Sequence, residues 1–221
     1  MNKNQNAGHL RSAEKEREQF TRWAMKILSI AQTGLTYSEN PFDRERYREL
    51  KEIGSQMLAW QIECSVDDIH RMMETETGYP TPKIDTRAAV FQDDRILLVR
   101  EMNGKWSLPR GWCETDLSIG ENAVKEMHEE SGYLGEPVRI LAAQDWRKHN
   151  PCNLPFGVLK VFIECRIAGK DHSDGLETTE ARFFGEDEIP ENLSLEKNTR
   201  EQIAQCIRAH KCGENWQTLF D

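Results

Sequence analysis

Apolar positions recur at helical spacing through the first third of the chain and at alternate positions through much of the remainder. In "EKEREQFTRWAMKILSIAQTG", Phe20, Trp23, Ile27 and Ile30 fall near one face of an amphipathic helix, and Gly34 offers a stop. "NPFDRERYRELKEIGSQMLAWQIE" predicts a second helix. Asn40 is its candidate N-cap, Pro41 takes the first helical position, where no N–H is needed, and Tyr47, Leu50, Met57 and Leu58 continue the stripe. Ser65 and Asp68 form a capping-box-like start for a third helix, with Ile69, Met72 and Met73 apolar and Gly78 at the end. Together they predict a small all-helical domain over residues 11–78, preceded by a polar, disordered N-terminus at residues 1–10.

The period changes after "YPTPKIDTR", a proline-punctuated linker. Strands are predicted at residues 87–91, 95–100, 105–108, 138–146 and 158–167, with a short one at Phe183 and Phe184. Within 158–167, Leu159, Val161, Ile163, Cys165 and Ile167 alternate with Lys160, Glu164 and Arg166, the pattern of a half-buried strand. "EKNTREQIAQCIRAH" closes the pattern with a helix carrying Ile203 and Ile207 one turn apart. Residues 79–221 therefore form a second domain, and the fold class is α+β.

Composition narrows the partners. The 221 residues carry a net charge of −9, which opposes generic attraction to DNA or to an anionic membrane surface. An anionic substrate would need a metal or local Arg and Lys residues. No apolar run approaches the ~18 residues of a membrane span. "MNKNQNAGHL" lacks the apolar segment of a secretory signal, and the six cysteines show no metal-site spacing. These features predict a cytoplasmic protein with reduced thiols and no disulfides.

Chemistry concentrates in "GWCETDLSIGENAVKEMHEESGY", residues 111–133. Ser118 and Glu121 form a capping box, so a helix should begin near Ile119 and end by Gly132. Glu126, Glu129 and Glu130 stand at i, i+3 and i+4, where like charges cost a few tenths of a kcal/mol per pair, so a cation is the natural compensation. Their carboxylates share a side on which oxygens can converge on a hard divalent ion, Mg2+ or Mn2+. An ordinary solvated acidic face has the same composition.

The spacing around these residues resembles the Nudix box, G-x5-E-x7-R-E-U-x-E-E-x-G-U with U bulky and apolar. Gly111, Glu126, Met127, Glu129, Glu130 and Gly132 match, and Tyr133 takes the last place. Leu117 stands where the first Glu belongs and Lys125 replaces the Arg, keeping its charge without the planar fork. "AAVFQDDRILLVRE", "GKWSLPRGW" and "GLETTEARFFGEDEIP" resemble the strands and loops flanking that box. "IAQTGLTYS" and "FDRERYRELKEI" further resemble a subgroup hydrolysing X-linked nucleoside diphosphates, which includes CDP-choline pyrophosphatase-like enzymes.

The resemblance implies a Nudix α/β/α sandwich with a small N-terminal helical domain, and an Mg2+-dependent pyrophosphohydrolase. Glu126, Glu129 and Glu130 would bind the metal, with a main-chain carbonyl at Arg110 or Gly111. A further glutamate from outside the box, Glu177 by its spacing from Phe183 or else Glu164, would be general base or distal ligand. Water would attack one phosphorus of a diphosphate whose charge the metal offsets. Arg110, where Gly is commoner, could clamp a phosphate or point into solvent. Trp112, Trp146, Arg147, Lys148 and His149 sit where bases stack and phosphates bind, or where aromatic packing and solvated charge would place them; Lys148 and His149 are the substrate-binding candidates among the basic ones. His128 is expected to face solvent, and Cys113 to be a packed or loop residue rather than a nucleophile.

Three functions follow. The first is hydrolysis of a nucleoside diphosphate linked to another moiety, with CDP-choline or ADP-ribose as candidates. The second is hydrolysis of a nucleoside triphosphate or an mRNA cap. The third is a nucleotide-sensing regulator that uses its helices to bind DNA, which the 11 Lys and Arg against 13 Asp and Glu of residues 1–78 disfavour. The Trp23 and Met-rich stripes of the helical domain predict burial against the second domain or a homodimer.

Overall fold

The computed structural model describes residues 3–74, 76–151, 154–171 and 178–221. The chain divides into two compact units, one built on the N-terminal helices and one on a mixed sheet.

In the helical unit, α1 (Lys3–Tyr37) takes in most of the polar segment that the sequence alone leaves without an element. It runs through Gly34 rather than stopping there. The Tyr47 ring of α2 (Pro41–Ile62) lies so close that a Cβ at Gly34 would overlap it, so this glycine lets two helices approach. Asn40 caps α2, its Oδ1 accepting from the N–H groups of Phe42 at 2.9 Å and Asp43 at 3.3 Å. Ser65 and Asp68 complete the predicted capping box of α3 (Val66–Met73). The core is Ala24, Leu28, Leu58, Ala59, Ile69 and Met73. The buried stripe of α1 thus lies one position beyond the predicted one: small residues allow close packing, while Trp23 and Ile30 stay exposed.

The second unit holds β1 (Lys83–Gln92), β2 (Arg95–Glu101), β3 (Trp106–Ser107), β4 (Arg110–Trp112), α4 (Ile119–Ser131), β5 (Tyr133–Asp145), α5 (Trp146–His149), β6 (Val158–Lys170), β7 (Thr178–Phe184), α6 (Arg200–Cys212) and β8 (Leu219–Phe220). Strands β4-β1-β6-β5-β8 form a mixed sheet in which β1 runs parallel to β6. A smaller antiparallel sheet, β3-β2-β7, joins it through the β1–β2 hairpin, whose two-residue turn puts Asp93 and Asp94 at positive φ.

Helix α4 covers one face of the mixed sheet, packing Ala123 and Met127 on Ala88, Val90, Val161 and Ile163. Helix α6 covers the other, packing Ile203, Cys206 and Ile207 with Ala89, Leu141 and Phe162. The result is the α+β fold and α/β/α layering expected, with one correction. Strand β6 is not half-wet: Lys160 (1% exposed) and Glu164 (9%) are buried on the α6 side, where side-chain and main-chain partners replace water.

Candidate active site

The site begins with the caps of α4. Ser118 Oγ accepts from the Glu121 N–H while Glu121 Oε2 accepts from the Ser118 N–H, and Gly132 at φ 73° ends the helix by donating to the His128 carbonyl. Asn122, Glu126 and Glu130 then form a column at i, i+4 and i+8 on the buried side. Asn122 anchors it, donating to Thr86 Oγ1 of β1 at 2.7 Å and accepting from the Glu114 N–H. Above it Glu126 sits against Gly111, where any Cβ would overlap the carboxylate. That close approach explains why the position is glycine. Glu130 accepts from the Arg110 N–H at 3.2 Å. Burial pushes its carboxyl up to about 7, with Glu126 adding to the rise and the Arg110 guanidinium, that N–H and Lys197 opposing it.

Glu129 is exposed and pairs with Lys125. The Lys125 ammonium also lies 3.3 Å from Glu114 and 3.7 Å from Glu126. These carboxylates hold it well above its ordinary pKa, the hydrogen bond to Glu129 first. Where Leu117 supplies no carboxylate, Glu114, three residues earlier, gives Lys125 its partner outside the helix.

Among the described residues no three His, Cys, Asp or Glu side chains meet at metal-ligating distance. The donor chemistry nevertheless fits a hard divalent cation. Glu126 and Glu130 supply carboxylate oxygens beside a main-chain cradle, and a cation, the Lys125 ammonium, already lies among three carboxylates.

Beside the platform lies a buried basic cluster that periodicity alone does not reveal. Arg87 is 1% exposed and pairs through Nη2 with Asp85, two residues away on the same face of β1. Lys160 donates to the carbonyls of Glu196 at 2.8 Å and Lys197 at 2.6 Å. Burial, with the neighbouring Arg87 and Arg110 guanidinium groups, brings its pKa down to about 6 against the pull of Asp85 and Glu196. Burial likewise acts against the charge of Arg87, while Asp85 sustains it. The signal in the sequence was two opposite charges at i and i+2 in "IDTRAAVF", an otherwise apolar strand.

The remaining candidates disperse. Glu177 lies outside the described residues. Glu164 is on the α6 face, bonded to Arg139 Nε and His210 Nδ1 at 2.7 Å each, and so is away from the α4 platform. Trp112 is 43% exposed at the edge strand β4, whereas Trp146 is packed inside. Arg147 pairs with Asp145, His149 lies 2.9 Å from Asp221, and Lys148 lies 4.0 Å from the same carboxylate. His128 is partly exposed and lies 2.6 Å from Asp171. Burial and Glu114 raise the Cys113 thiol, which suits a packed residue and not a nucleophile. Cys64, Cys113, Cys165, Cys206 and Cys212 are free thiols, Cys152 lies outside the described residues, and no described helix is long and apolar enough to cross a membrane.

Residues 18–73 match the family model described as "UDP-X-like, N-terminal oligomerisation domain", and residues 81–206 match the NUDIX domain. Over 205 residues the chain is 45% identical to "Putative ADP-ribose pyrophosphatase YjhB" of Bacillus subtilis (strain 168), spanning 91% of this chain and 98% of that protein. The crystal structure of an ADP-ribose pyrophosphatase from Streptococcus suis 89-1591 superposes with a TM-score of 0.58 at 49% identity, over 64% of this chain and 100% of that one. That of a UDP-X diphosphatase superposes with a TM-score of 0.58 at 30% identity, over 92% and 98%. A domain model that matches more than half of the chain, across the very strands and helix that carry the carboxylate column, shows that this protein belongs to the Nudix family of hydrolases.

Proposed function

We propose that this Nudix hydrolase is an Mg2+-dependent pyrophosphohydrolase acting on a nucleoside diphosphate linked to another moiety, with ADP-ribose as its first candidate substrate and CDP-choline as the second. The observation that carries the reading is the column of Glu126 and Glu130 against Gly111 and the Arg110 N–H, in a chain similar along its length to a protein named for ADP-ribose hydrolysis. Glu126, Glu129, Glu130 and the Gly111 carbonyl would hold Mg2+ or Mn2+, which when bound offsets the charge on the diphosphate oxygens. The protein's own part is positional. The caps of α4 fix the column, Gly111 leaves room for its carboxylate, and Arg110 would meet a phosphoryl oxygen. Acceptance of the proton from the attacking water is assigned to Glu177, since Glu164 is engaged by Arg139 and His210.

Exposed Trp23, Phe42 and Trp60 on the helical unit, together with its match to an oligomerisation domain, support a homodimer through these helices. The test is incubation with ADP-ribose, CDP-choline, a UDP-sugar, NADH and dNTPs in Mg2+, following monophosphate release, with light scattering on the same preparation. ADP-ribose is expected to turn over fastest, and the particle to be a dimer. Turnover of none of them by folded protein would overturn the hydrolase reading, and a monomer at micromolar concentration would overturn the dimer.

A further inference from the structure

A polar tie runs through the contact of α4 with β1, which otherwise meet through Ala123, Met127, Ala88 and Val90. Its members, Asn122 and Thr86, are both wholly buried. Asn is a poorer helix former than Ala, and a buried amide must be met by partners, so neither helix stability nor packing calls for Asn here. The direction of its hydrogen bonds is fixed. The Glu114 N–H can only donate and lies 3.1 Å from Asn122 Oδ1, so Nδ2 faces β1 and donates to Thr86 Oγ1 at 2.7 Å. Thr86 Oγ1 accepts that bond, and its own hydrogen turns to the Gly111 carbonyl, 3.5 Å away on the paired strand β4. One chain of hydrogen bonds thus joins the loop before α4, the helix, β1 and β4.

What the tie controls is where the carboxylate column stands on the sheet. Glu126 comes one turn after Asn122 and rests on Gly111, where no Cβ would fit, and Glu130, a turn further, accepts from the Arg110 N–H. Glu114, held by Asn122 through its main chain, reaches Lys125 with its carboxylate at 3.3 Å. Apolar contacts are non-directional and tolerate small slides of a helix along a sheet. A short side-chain hydrogen bond does not. We propose that Asn122 and Thr86 are positioning residues, whose hydrogen bond sets the Glu126 and Glu130 carboxylates where they take up a divalent cation beside β4. The inference rests on the cation-binding reading of the column. It adds that two uncharged residues, neither of them a ligand, tune the affinity of that site.

The test is Mn2+ titrated into the full chain without nucleotide, with free Mn2+ followed by electron paramagnetic resonance and each variant's melting transition recorded in EDTA. T86V keeps the shape of the side chain without its hydroxyl and should bind Mn2+ about tenfold more weakly, with a cooperative transition retained. T86S restores the hydroxyl and should bind within about twofold of the parent, a rescue that loss of packing alone would not give. Should T86V fail to fold, the double variant T86V/N122A, which leaves no side-chain donor of the pair unmet, gives the same reading. Folded T86V or T86V/N122A binding Mn2+ with the parent's affinity, or T86S weakened as much as T86V, would overturn the positioning role and leave the cation site standing. A parent that binds no Mn2+ at millimolar concentration would overturn the cation reading and the positioning role together.

Discussion

The two faces of β1 and β6 are both buried and otherwise unlike. Toward α4 they present Ala88, Val90, Val161, Ile163 and Cys165, packed by Ala123 and Met127. Toward α6 they present Asp85, Arg87, Lys160 and Glu164 among Ala89 and Phe162. The apolar face needs only contact. The polar face can be buried only because distant groups meet it: the Glu196 and Lys197 carbonyls for Lys160, and Arg139 and His210 for Glu164. The α4 face therefore holds the helix in place, and the polar face is where burial has been spent on charge.

The comparison breaks most sharply at Met127, fully buried beneath α4. Met127→Ala should lower the unfolding free energy by about 2–5 kcal/mol, read from urea midpoints, because it opens a cavity that rigid neighbours cannot fill. A loss under about 1 kcal/mol would mean that this face is not the tightly packed one.

On the opposite face, Lys160→Met should act through pH. With its folded pKa near 6, below the usual lysine value, the unfolded chain binds the extra proton between about pH 6 and pH 10, so this lysine's contribution to stability rises with pH across that window. Asp85 and Arg87 from β1, Arg110 from β4 and Glu196 from the loop before α6 are the charged groups around it. The stability of the parent relative to K160M should thus grow by roughly 3 kcal/mol between pH 6.5 and pH 9. A gap that stays constant with pH would show that Lys160 is charged in the folded protein throughout.

Local rules carried much of the fold into view. The caps at Asn40, Ser65, Ser118 and Gly132 and the alternation of β6 were legible because each depends on residues within a few positions. The Glu126 and Glu130 positions were legible for the same reason, one helical turn apart. Other features depend on residues far away in sequence. Gly34 was read as a stop because nothing local announces Tyr47. The face of β6 taken as wet is covered by residues 193–212, and Lys160 looks solvated until Glu196 and Lys197 are in place. Glu129 shows both sides of this. Its position was plain, and helical spacing already sets Lys125 one turn before it, but the Glu114 that shares this lysine comes from the loop outside the helix.

The most direct measurement sets one carboxylate from each face against the other, as turnover of ADP-ribose in Mg2+ by folded Glu126→Gln and Glu164→Gln. If the α4 column is the reacting platform, Glu126→Gln should lower kcat by roughly 100-fold or more, as removal of a principal charge-bearing group does. Glu164→Gln should stay within about threefold of the parent, since its carboxylate serves Arg139 and His210 on the other side of the sheet. Near-parental turnover by Glu126→Gln, or equal inactivation of both folded variants, would contradict the account.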